Sequence, residues 1–168
     1  AAEEGKMAYG TFFLKKKGFI WQEMLPAMIA VRRENRIFEE LYDDGLISRP
    51  AARIWKCFEL FPEWAQTDLK REAGFGKGEN SAFGSALTEL QMKMLICISG
   101  QTQRINRKGE PYGWPQNLFC RIDARFPQVE EKELTPEEGL HALLGCIARA
   151  GDFPEKAALR LIGAGQPW

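Results

Sequence analysis

The sequence is poor in the residues that most enzymatic chemistry needs. It holds one histidine, His141, and four cysteines, Cys57, Cys97, Cys120 and Cys146, too widely spaced to pair with it as metal ligands. A metal site is therefore not expected, and zinc hydrolases and deaminases are excluded. Each cysteine lies in an apolar stretch and reads as a buried, reduced thiol rather than part of a disulfide framework. Net charge is also missing, with 23 basic against 23 acidic side chains, so no global field draws the chain to nucleic acid or an anionic membrane. No apolar run approaches the roughly 20 residues that span a bilayer, and the start lacks a secretory signal, which leaves the cytoplasm as the default compartment and no membrane as partner. The chain begins at Ala1 without an initiator methionine and ends in Gly-Ala-Gly-Gln-Pro-Trp directly after a helical pattern, so a fragment of a longer protein is the expectation.

Two tempting motifs fail on their surroundings. Gly74-Phe75-Gly76-Lys77-Gly78 lacks the Gly-Lys-Ser/Thr ending and the preceding strand of a phosphate loop, so it reads as a turn. Glu130-Glu131 and Glu137-Glu138 are neighbours whose side chains diverge, as in a solvated segment rather than an acid/base pair. No catalytic residue and no cofactor follows from the residues.

With 168 residues, 45% of them hydrophobic, the chain can bury an ordinary core. Tyr9 to Leu14 is aromatic and apolar, suiting a strand or a short helix, and Lys15, Lys16 and Lys17 after it read as solvated surface. Met24 to Tyr42 reads as one helix with Pro26 near its start, Arg32, Arg33 and Arg36 on its polar side, and Asp43-Asp44-Gly45 as its stop. Ser48 then caps a helix carrying Ile47, Ala51, Ile54, Phe58 and Phe61 at steps of three and four, closed by Pro62. A short helix from Thr67 to Ala73 stops at Gly74, and a third from Glu79 to Leu90 sets Phe83, Leu87 and Leu90 on its inner face. Met92 to Ile98 reads as a buried strand, Gln101 to Gly113 as a basic loop, and Leu118 to Ile122 as a returning strand with Leu118, Cys120 and Ile122 inward and Arg121 outward.

Three helices followed by a hairpin, between about Ser48 and Asp123, describe a winged helix-turn-helix. Laying Leu143 on Ile54 also lays Cys146 on Cys57, Ile147 on Phe58, Phe153 on Trp64 and Gly163 on Gly74, the trace of a second, incomplete copy. Thr135 caps its first helix, with Pro136 in the first helical position. The expected fold is thus mainly α with a small β-hairpin (α+β), a winged helix-turn-helix with an unfinished tandem repeat. Residues 1–45 form an N-terminal segment and helix packing on the core, 46–126 the winged unit, and 127–168 an acidic linker and helical pair.

Four stretches carry a family resemblance: Tyr9-Gly10-Thr11-Phe12-Phe13-Leu14-Lys15-Lys16; Leu41-Tyr42-Asp43-Asp44-Gly45 with Ser48-Arg49 and Ile54-Trp55; Leu87-Thr88-Glu89-Leu90-Gln91; and Tyr112-Gly113-Trp114-Pro115. In these the chain resembles the AlkZ-type DNA glycosylases, and more closely the AlkZ-related branch. The resemblance implies repeated winged helices and a link to DNA repair. The glycosylases of that family use a Gln-X-Gln motif near the end of an early helix. Gln101-Thr102-Gln103 falls instead at the start of the expected hairpin tip, so the motif is not carried over.

For DNA the case is local. Asn80, Ser81 and Ser85 of the third helix can enter a major groove, Lys77 precedes them, and Arg104, Arg107 and Lys108 on the wing can neutralise phosphates. Glu79 and Glu89 on that helix work against it. Two alternatives stand beside DNA binding. One is an interaction module whose C-terminal helical pair docks on a protein partner or a second copy through Leu159, Leu161, Ile162 and Trp168. The other is a glycosylase whose catalytic motif lies outside this chain.

Overall fold

The computed structural model describes residues 5–131 and 133–164. Trp168 lies outside them. The chain is a mixed α+β protein built on a five-stranded antiparallel sheet in the order β2-β1-β4-β5-β3, a larger sheet than the small hairpin expected. Strands β1 (Met7–Phe13) and β2 (Lys16–Trp21) form a hairpin that settles the choice left open for the first stretch in favour of strand. Ala8 and Phe12 alternate inward, and Leu14 and Lys15 make the tight turn with both φ angles positive.

Helices α1 (Leu25–Arg33) and α2 (Phe38–Asp43) replace the single helix expected from Met24 to Tyr42. The break falls at Glu34 and Asn35, both left-handed at φ 50° and 58°, which no α-helix can propagate through. Arg32 is not on a polar face: it is 5% exposed and donates Nε to Ile162 O (2.8 Å), Nη1 to Met92 O (3.1 Å) and Nη2 to Leu161 O (3.2 Å).

Helices α3 (Arg49–Cys57), α4 (Gln66–Glu72) and α5 (Asn80–Met92) lie within two residues of the expected boundaries at their starts, and Ser48 Oγ accepts the Ala51 N–H as the cap should. Phe61, expected to pack inward, is exposed. Between α3 and α4 the short β3 (Glu63–Ala65) pairs with the end of β5. Met92 belongs to α5 rather than to a strand; β4 runs over Ile96–Ile105 and β5 over Pro111–Arg121, so the loop expected from Gln101 to Gly113 is mostly a paired two-stranded arm. Ile122 opens a short helix, α6 (Ile122–Arg125), instead of ending the strand.

The last helices are α7 (Pro136–Ala150), opened by the reciprocal Thr135–Glu138 capping box, and α8 (Glu155–Ile162). Gly139 lets α7 cross α1 closely, since a Cβ there would stand 2.8 Å from Ala27 O. Buried apolar side chains form two clusters. One gathers α2 to α5 around Ile54, Leu69 and Leu90; the other joins β1 and α1 to Phe126, Leu143 and Ile162. The N- and C-terminal thirds of the chain therefore share a core.

Candidate nucleic-acid interface

Helix α5 turns Phe83, Leu87 and Leu90 into the first cluster, and Asn80, Ser81 and Ser85 are left exposed by the helical period. Lys77 is exposed in the turn that enters α5. Ser81, Gly84, Ser85 and Thr88 of α5 line a groove of about 720 Å³ together with Leu46 of the α2–α3 loop and Lys15 of the β1–β2 turn. By sequence Lys15 reads only as solvated surface. It lines the same groove as α5, which no local pattern could report because the two are 65 or more positions apart.

The two acidic residues that count against DNA at α5 are held by backbone. Glu89 accepts Ser48 N–H on Oε1 (2.7 Å) and Ser48 Oγ–H on Oε2 (2.5 Å), which sets its carboxylate against the positive start of α3. Glu79 Oε2 accepts the Gly76 N–H at 2.6 Å. Both charges are bound to N–H groups rather than directed outward alone.

The three cations Arg104, Arg107 and Lys108 are exposed on the β4–β5 arm: Arg104 pairs across the ladder with Tyr112, and Arg107 and Lys108 sit in its turn. That turn is shaped by Asn106, whose Oδ1 accepts the N–H groups of Lys108 (2.9 Å) and Glu110 (3.0 Å), with Gly109 at φ 80°. The α5 group and the arm group are each brought together, but no hydrogen bond or ion pair links one to the other among the described residues.

Gln101 and Thr102 pair in β4 with Asn117 and Gln116, and Gln103 Nε2 donates to Gly113 O at 2.6 Å. Those glutamines lie in a strand. Three of the resemblance segments meet as joints: Thr11 N donates to Gln91 Oε1 (2.8 Å), and Ser48 meets Glu89.

A second cavity, about 450 Å³, lies among α1, α2, α3 and the start of α6. Trp55 is stacked on Phe38 at 4.8 Å between centroids, while the Arg121 guanidinium lies 4.7 Å over the Trp55 ring and pairs with Asp123 through two bonds. Trp55 is 7% exposed, with Phe38 and Arg121 packed against its ring, so it offers no open surface on which a base could stack. By sequence Arg121 reads only as an outward strand residue.

Cys97 and Cys120 are cross-strand partners with sulfurs 3.7 Å apart; as free thiols they share a hydrogen bond that pushes Cys97 well up and Cys120 down. Cys57 is buried too, but Cys146 is only half-buried. No group of three or more metal-ligating side chains occurs among the described residues, and no described helix is long and apolar enough to cross a membrane. Of the residues offered as a C-terminal contact surface, Ile162 is buried in the second cluster and Leu159 and Leu161 are half-buried.

The chain belongs to the AlkZ-related family, whose model matches residues 1–162. This relates it to a group named for a DNA-repair glycosylase. Comparison with curated proteins and with solved structures found no match.

Proposed function

We propose that this member of the AlkZ-related family is a winged-helix protein that binds DNA through α5 and the β4–β5 arm, in a setting related to DNA repair. The observation that carries this reading is the cationic end of an arm that follows directly on the third helix: Arg104, Arg107 and Lys108 stand against the single acid Glu110 in a chain of zero net charge. The order α3, α4, α5, β4, β5 supports this reading as three helices followed by a hairpin, and β3, absent from the expectation, closes on β5. The winged unit of this reading spans residues 46–126.

The α7–α8 pair is the start of a second copy in the same reading. Under the alignment of Leu143 with Ile54, α8 falls on α4 and α7 on α3, and Gly163 (φ 82°) matches Gly74 (φ 75°) as a left-handed stop. Lys77, Asn80, Ser81 and Ser85 would face a groove, and the arm cations the phosphates.

Fluorescence anisotropy with a labelled duplex tests it. Wild-type affinity should fall with salt at a log–log slope of about −2 to −4, and the combined Arg104→Ala, Arg107→Ala, Lys108→Ala variant should bind more weakly, its slope flatter by about one for each phosphate left unneutralised. Unchanged low-salt affinity in that variant would refute the reading.

A further inference from the structure

Trp114 is 93% exposed, the most solvent-open large apolar side chain among the described residues. It sits in a bulge: Thr102 pairs with Gln116 and Arg104 with Tyr112, so Gly113, Trp114 and Pro115 together lie opposite the single residue Gln103. The bulge is fixed at three points. Gly113 takes φ 76°, open to glycine at little cost; Gln103 Nε2 grips Gly113 O; and Pro115 confines the backbone of Trp114 to extended geometry. An indole is thereby held out in water by a built backbone, in a position that contributes nothing to either core cluster.

We infer that Trp114 is a base-stacking wedge, and that the arm takes nucleic acid whose bases are unstacked in preference to intact duplex. The inference rests on the DNA-binding reading and narrows its substrate class. A base offers a π face to an aromatic ring whatever its identity, and a groove of cations beside the ring holds the backbone. The arm supplies an exposed ring at Trp114 and exposed cations at Arg104, Arg107 and Lys108, with Tyr112 and Ile105 also exposed and Arg104 across from Tyr112. A lipid surface would also take aromatics and cations. Here, though, the exposed aromatics stand on a narrow arm anchored at its root to α4, where Gln116 Oε1 accepts both Thr67 N–H and Thr67 Oγ–H, and that arm follows the helix proposed to read a groove.

The test compares Trp114→Ala, Trp114→Phe and Gln103→Ala with wild type on labelled oligothymidine, on intact duplex, and on phosphatidylserine vesicles. Trp114→Ala should weaken oligothymidine binding roughly five- to a hundred-fold, the range that stacking of one base supplies. Duplex affinity should stay within about two-fold. Trp114→Phe, which keeps a π face, should retain most of the binding, and Gln103→Ala should fall between. Since Trp114 packs on nothing, its variants should match wild type in circular dichroism and melting.

Oligothymidine binding unchanged in Trp114→Ala overturns the wedge alone. The same holds for equal losses on both DNAs, for loss of vesicle binding only, or for a change of oligomeric state in light scattering. Failure of the combined arm-cation variant to alter duplex binding refutes the groove reading separately.

Discussion

Replacing Arg32 by methionine should be among the most damaging substitutions in the protein, and its size can be worked out. The guanidinium donates to the last carbonyl of α5, Met92 O, and to two at the end of α8, Leu161 O and Ile162 O, so one cation closes two helix C-termini from α1. Hydrogen bonds to a charged donor contribute about 2 kcal/mol each, or about 6 kcal/mol for three. Burial opposes this, pushing the Arg32 pKa down from its ordinary value to about 10, and at about 1.4 kcal/mol per unit that costs about 3 kcal/mol. The net loss expected on removing it is therefore about 3 kcal/mol. Since the folded side chain releases its proton more readily than the unfolded one, this burial cost is complete below about pH 10 and relieved only as pH rises above it; melts at neutral pH carry it in full. Urea unfolding followed by circular dichroism reads the loss, and hydrogen exchange should show α8 opening first. Lysine, which lacks the fork, should recover less than half of the difference. A methionine variant within about 1 kcal/mol of wild type would refute the argument that Arg32 joins the helices.

Gly139→Ala should destabilise by about 1–3 kcal/mol, because its Cβ would meet Ala27 O at 2.8 Å and force α7 off α1, whereas Gly145→Ala, with open space around it, should be neutral or stabilising in the same thermal melts. Burial, with a smaller contribution from Glu72, pushes the Cys57 thiol up from 9.0 to about 11, so the folded state holds that proton more tightly. Its contribution is whole below pH 9 and lost as pH climbs to 11; wild type should therefore lose about 2 kcal/mol more than Cys57→Ala across that window in urea titrations, and parallel curves would disprove it.

How far the sequence could be read depended on whether a residue's role was local. Ser48, Thr135 and Gly74 announce helix ends because caps work within three or four positions, and each acts as read, whereas Glu138, read only as solvated, closes the capping box on Thr135. The break between α1 and α2 is hidden because Glu34 and Asn35 reach left-handed geometry without glycine. Strand β3 is hidden too, since three residues show no period. The arm defeats the alternation test for a different reason: beyond Thr102 both of its faces are exposed, so neither carries a regular apolar set. For the candidate interface, the cations and the polar face of α5 are legible as residue types, but the tie of Glu89 to Ser48 and the grip of Gln103 on Gly113 are not. Those span 41 and 10 positions and depend on tertiary pairing.

That two-sided exposure bears on function. A strand pair that buries neither face gains only its ladder bonds, which exchange nearly evenly with water. Ordering each of its residues nevertheless costs about 1–2 kcal/mol of backbone entropy. From Gln103 to Pro115 the arm is exposed throughout, and none of its side chains joins either core cluster. Its geometry is still strongly specified, by the Asn106 turn, by Gly109 and Gly113 at positive φ, and by the Gln103 bond. Determinants of shape placed where folding draws little from them point to a partner outside the chain. Three cations and an exposed indole at that place are why the proposed partner is nucleic acid.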